Sequence, residues 1–166
     1  MIREKLKFKF TGYENYPLDE VIKLIEKHIK DKEASLRLIL AVNEAVCNAA
    51  RYSINLLNEC KIKIKIYVKD KEIIIIVSSK TVDNSAIGIR KKMYRIADKN
   101  RNSDWGEATR NKLNGRGLWI MLQGVSKLVV DEQMNWISLR KKFDDTNISA
   151  KPIDLLKKMK INKVIC

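Results

Sequence analysis

"KIKIKIYVKDKEIIIIVSS", residues 61–79, decides how the chain is organised. Its first half alternates strictly, and a period of two sends successive side chains to opposite faces of a strand. Ile62, Ile64, Ile66 and Val68 therefore share one face, and the lysines share the other. Lys69-Asp70-Lys71 makes a tight connection. The second half, Glu72 to Ser79, is almost continuously apolar, which suits a central strand.

The pattern extends in both directions. Lys5 to Phe10 alternates and predicts a strand with Leu6, Phe8 and Phe10 facing inward. After Pro17, Val21, Leu24, Ile25, His28 and Ile29 recur at helical spacing, with acids near the start and lysines near the end. A second helix is predicted from about Ala34 to Tyr52. Residues 80–114 lose periodicity and read as a long irregular segment. "GRGLWIMLQGV" then opens a third helix, and "KLVV" and "WISLRKKF" read as two strands joined across "DEQMN". Paired strands with helices between them predict an α+β, two-layer α/β sandwich: a mixed, mostly antiparallel sheet with helices on one face. Residues 144–166 read as a basic tail with a short helix from Ile153 to Met159.

Composition narrows the function. A length of 166 residues suits one domain with its own core, and 45% hydrophobic content argues for a globular chain. No apolar run approaches the roughly 20 residues of a membrane span, and residues 1–5 lack a signal peptide's apolar core. A cytoplasmic protein without a membrane partner is expected. Cys47, Cys60 and Cys166 show no metal spacing, and their odd number argues against a disulfide framework. His28, the single histidine, argues against zinc chemistry and against a Ser-His-Asp triad. It reads as a helix-face residue. The net charge of +14 favours an acidic partner, unless it reflects compositional bias alone. Nucleic acid is disfavoured, because the strand faces lack interleaved aromatics on which bases could stack.

Two features carry candidate chemistry. In "NEAVCNAARY", residues 43–52, Glu44 and Asn48 stand four apart, about one helical turn. On a helical wheel Ile39, Val42, Val46 and Ala49 form the core stripe, and the pair points to the opposite side with Arg37 and Arg51. That side is either a wet surface or a site. As a site, Asn48 offers a carbonyl oxygen to Mg²⁺ while Glu44 orients or deprotonates a nucleophile. The second feature is Asn114-Gly115-Arg116-Gly117-Leu118, just before the third helix. Glycines let the backbone approach a ligand, and a helix N-terminus presents free N–H groups to phosphate. A plain helix start is the alternative. A phosphate-rich ligand explains both features together.

"LAVNEAVCNAARY" resembles the N box of the GHKL ATPases, especially the anti-sigma factor serine/threonine kinases, whose version reads like E-A-x-x-N-A-x-x-H. "GRGLWIMLQGVSKLVVDEQMNWISLRKKF" is similar to that family's second glycine box, following helix and closing strand pair. The resemblance covers about residues 3 to 143 and implies a GHKL-like ATPase domain over 1–143. It implies ATP or ADP with Mg²⁺ as cofactors. It also implies phosphorylation of a serine on a small antagonist protein, sequestration of a sigma factor or another acidic protein, and a homodimer. By position Glu44 becomes the base, Asn48 the Mg²⁺ ligand, and Gly115, Arg116 and Gly117 the phosphate-contacting segment.

Two departures bear on this. Tyr52 stands where the N box ends in His. The first glycine box, D-x-G-x-G, whose Asp receives the adenine amino group, has no clear counterpart in "SSKTVDNSAIGI". One register sets Asn84 and Gly88 against it, and another sets Ser79 there. A non-catalytic, protein-binding descendant of the fold is the alternative function. Residues 86–116, with nine Lys/Arg against three Asp/Glu, are expected to form a lid over the nucleotide.

Overall fold

The computed structural model describes residues 1–56, 58–82, 85–100, 116–146 and 151–162. Asn84 and Gly115 lie outside the described residues, as does most of the expected lid beyond Asn100.

The alternating segments form the strands their period predicts. They are β1 (Ile2–Thr11), β2 (Lys61–Lys69), β3 (Glu72–Ser78), β4 (Lys127–Asp131) and β5 (Trp136–Lys142). A sixth strand, β6 (Met159–Asn162), closes one side. The order across the sheet is β1-β2-β3-β5-β4-β6. β4 and β6 run parallel, and every other pairing is antiparallel. The "EIIIIVS" run thus lies between β2 and β5, which explains why it is apolar on both faces.

Five α-helices occur among the described residues: α1 (Leu18–His28), α2 (Lys32–Arg51), α3 (Ala86–Lys99), α4 (Arg116–Gly124) and α5 (Pro152–Lys157). Asp31 caps α2, its carboxylate accepting from the Ala34 N–H at 2.7 Å. That satisfies one of the donors orphaned at a helix start. Registered triplets such as Phe8–Ile64–Val77 and Leu6–Ile66–Ile75 build the covered face of the sheet. Val21, Leu24 and Ile25 of α1 and Leu38, Val42 and Val46 of α2 join the same core. Full burial of each such side chain stabilises the fold by about 1.5–3 kcal/mol. Ile74 is buried yet stands outside that core, on the opposite face of the sheet. The architecture is an α+β sandwich with a six-stranded, mostly antiparallel sheet. No helix of the described residues is long and apolar enough to cross a membrane.

Three expectations need correction. The irregular segment from Lys80 contains α3, capped by the Ser85 hydroxyl, which accepts from the Gly88 N–H at 3.1 Å. Ala86, Met93 and Ala97 anchor this helix, and two of the three are too small to register as an apolar stripe. The tail is part of the sandwich from Pro152 to Asn162: Leu155, Leu156 and Met159 enter the core, and β6 extends the sheet. Its helix spans Pro152–Lys157, so Met159 starts a strand instead of ending the helix. Finally, the buried side of α2 is Leu38, Ala41, Val42, Ala45 and Val46, with Ile39 and Ala49 only half-buried. The core stripe is turned toward the small residues because α4 packs along that flank. His28 sits on its helix face as read, 3.0 Å from the Glu4 carboxylate and stacked on Phe143. Hydrogen bonds from His28 and Lys27 hold the Glu4 carboxyl below its usual range.

Candidate functional site

The rotation of α2 is what makes a site. Glu44 and Asn48 are half-buried, and they face a cavity of about 630 Å³ instead of open solvent. That volume lies within the roughly 300–1,000 Å³ typical of small-ligand sites. α2 forms one wall, the start of α4 a second and α3 a third, and the ends of β3 and β5 form the floor.

Gly117 links the two sequence features directly. A Cβ on this residue would lie 2.7 Å from Glu44 Oε2 and 3.1 Å from Asn48 Nδ2. Only a glycine lets the first turn of α4 come so close to both side chains. About two turns further along, Gly124 performs the same service for packing: its Cβ would meet the Arg37 carbonyl oxygen at 2.3 Å. The two glycines press α4 against α2 at both ends. Neither the Glu44 carboxylate nor the Asn48 carboxamide is engaged by a hydrogen bond or an ion pair within the described residues. Both remain available to a ligand.

Arg116 also lines the cavity, at the N-terminal end of α4. Gly88 does not. It lies exposed in the first turn of α3, where its N–H is taken by Ser85. Ser79, the alternative to Asn84, does line the cavity. Its hydroxyl donates to the Ala49 carbonyl at 3.1 Å, which joins the end of β3 to α2.

Several lining residues escaped the sequence reading. Ile89, Lys92, Met93 and Ile96 come from α3, and their spacing of three and four is the signal that could have found them. Met134 and Asn135 come from the β4–β5 turn. Met134 holds φ at 63°, a left-handed conformation that costs a non-glycine residue energy. The turn fixes it: the Met134 N–H donates to the Asp131 carbonyl, and the Asn135 N–H donates to the Asp131 carboxylate. The Asn135 carboxamide oxygen in turn accepts from the Thr81 backbone at 3.2 Å.

On the far flank of α2, Cys47 donates to the Tyr13 hydroxyl at 3.4 Å. That hydrogen bond, with burial, pushes the Tyr13 phenol up to about 12.

No protein-family model matches this chain, and no curated protein matches it.

Proposed function

We propose that the cavity binds a Mg²⁺-nucleotide and that the chain is an ATP-dependent protein serine kinase of the anti-sigma type, built on a GHKL sandwich. One observation carries the reading. Gly117 lies against both Glu44 and Asn48, so the N-box-like pair and the glycine-flanked helix start belong to one cavity. The regulatory part is a serine on a small antagonist protein as substrate, and a sigma factor sequestered when the antagonist is absent. It rests on the resemblance of residues 40–52 and 115–143, as do the homodimer and the cytoplasmic location.

The residues present fit such a ligand. A carboxamide oxygen from Asn48 suits Mg²⁺, which takes only one or two protein oxygens when phosphates and water supply the rest. The N-terminal turn of α4, with Arg116 beside it, favours anionic phosphate. Bound Mg·ATP supplies the transferable γ-phosphoryl group, and ADP is the leaving group. Glu44 would accept the proton of an incoming serine hydroxyl and hold that hydroxyl in place at the cavity wall. The apolar lining from Met93, Trp119 and Ile137 suits the base.

Asn48→Ala is expected to weaken nucleotide binding in the presence of Mg²⁺ far more than in EDTA, by roughly tenfold against about twofold. Calorimetric titration in the two buffers measures both. Equal losses would remove Asn48 from the metal.

The other end of the cavity favours a second reading. Glu44 is the single carboxylate among the described lining residues, so none of them offers the adenine amino group a charged acceptor at the Ser79 end of β3. A non-catalytic descendant that binds protein would need none. The two readings separate on base selectivity. With Ser79 at the adenine position, Ser79→Asp should sharpen ATP over GTP by about 1 kcal/mol, the rough gain from a charge-assisted acceptor. Asn84→Asp should then change nothing. Competition titrations decide between the positions, and a parent protein blind to both nucleotides would leave the non-catalytic reading standing.

A further inference from the structure

The face of the sheet turned away from the helices carries a charge pattern that nucleotide binding does not use. Lys5, Lys7 and Lys9 project from β1 onto this face, and Lys61, Lys63 and Lys65 project from β2. The register sets Lys7 directly across from Lys65 and Lys9 across from Lys63. Like charges directly opposed destabilise a sheet. Lys9, desolvation and the neighbouring lysines together hold the Lys7 ammonium below its usual pKa.

No ion pair within the described residues relieves the six lysines. The nearby carboxylates are committed elsewhere: Glu4 to Lys27 and His28, Asp70 to Arg3, and Glu72 to Lys69. Lysines on an edge strand guard it against pairing with another chain. That accounts for β1 alone. β2 is paired on both sides, so its three lysines have no such role. Next to them the same face turns apolar, with Ile76 opposite Lys65 and Ile74 opposite Tyr67. Further across, Arg140 lies opposite Ile74, and its Nε has no acceptor within the described residues.

We propose that this open face docks an acidic polypeptide, whose carboxylates lie over the Lys7–Lys65 and Lys9–Lys63 pairs and whose apolar side chains cover Ile76. Such a segment supplies the counter-charge that the described residues do not. Nucleic acid fits less well. The Lys5 ammonium stands 5.5 Å from the centroid of the Tyr67 ring and competes with any base for that ring's face. The surface lies across the sheet from Glu44 and Asn48, so the proposal does not rest on nucleotide binding.

The test is fluorescence anisotropy on the full chain, with a labelled peptide of alternating Glu and Ala as probe. A Ser–Ala peptide of equal length and labelled oligo(dT) serve as comparisons. The Glu–Ala peptide should bind, lose affinity as salt rises, and lose roughly tenfold in Lys63→Glu/Lys65→Glu. Lys23→Glu/Lys30→Glu on the helix side makes the same change in net charge and should cost no more than about twofold. Lys63→Gln/Lys65→Gln should give an intermediate loss and keeps the test open if the charge reversal impairs folding. Equal losses in the two Glu variants would reduce the effect to net charge and overturn the proposal. So would absence of peptide binding, or tighter binding of oligo(dT) with the same dependence on Lys63 and Lys65.

Discussion

Glu44→Ala is expected to abolish measurable phosphoryl transfer while leaving nucleotide affinity within about twofold, because a positioned base is used in the transition state and not in ground-state binding. General-base catalysis contributes typically 10²–10⁴-fold, and that is the expected loss in kcat. Glu44 lines the cavity from α2, held at its Oε2 against Gly117, and no described side chain competes for its carboxylate. Truncation removes the proposed base without moving either helix, since the fully buried contacts of α2 are made by residues such as Leu38, Ala41, Val42, Ala45 and Val46. Radiolabelled phosphate incorporation into a serine-containing acceptor protein gives the rate, and calorimetry gives the affinity. A variant that transfers at the parental rate would make Glu44 part of a polar wall and nothing more.

Gly124→Ala is expected to be the most destabilising of the conservative changes. The added methyl would stand 2.3 Å from the Arg37 carbonyl oxygen and 2.7 Å from the Ala41 Cβ. At Gly117 the close atoms are ends of side chains, which can rotate aside. At Gly124 the closest atom is backbone, so the helices themselves must separate. Overpacking of a tight contact costs typically 1–3 kcal/mol, and the better helix propensity of alanine returns at most about 1. A net loss of about 1–2 kcal/mol should lower Tm by roughly 2–8 °C in a chain of this size. Thermal denaturation followed by circular dichroism measures it. An unchanged Tm would mean that α2 and α4 do not approach as closely as the glycine implies.

The strands were the most legible part of the chain. Lys61–Val68 repeats with period two, so its register with β1 and β3 follows from which face is apolar, and a slip of one residue would bury lysines. Smallness was harder to read than hydrophobicity. Ala86 and Ala97 bury the face of α3, and Ala41 and Gly124 meet in the contact between α2 and α4. Such residues pack by letting backbones approach, so their contacts leave no mark among the large side chains that a periodicity count reads. The same cause concealed where Glu44 and Asn48 point. A wheel drawn on Ile39, Val42, Val46 and Ala49 placed them opposite the core, whereas the close approach of α4 encloses them. The helix and strand at 152–162 were obscured by brevity, because six and four residues cannot establish a period. The turn from Asp131 to Asn135 was visible as a connection, but its contribution to the cavity wall depends on the left-handed Met134, which no local pattern announces.

The Glu44–Asn48 pair and the Gly117 turn are proposed to form one nucleotide site. Calorimetric titration of Mg·ATP into the parent chain and into Gly117→Ala tests it most directly. The added Cβ would displace the Glu44 and Asn48 side chains while leaving the packing at Gly124 untouched. Saturable heat is expected for the parent, and for the variant a loss of roughly tenfold in affinity at nearly unchanged Tm, as for loss of the Asn48 carboxamide itself. Parent protein that takes up no heat at millimolar Mg·ATP, or a variant that binds as the parent does, would contradict it.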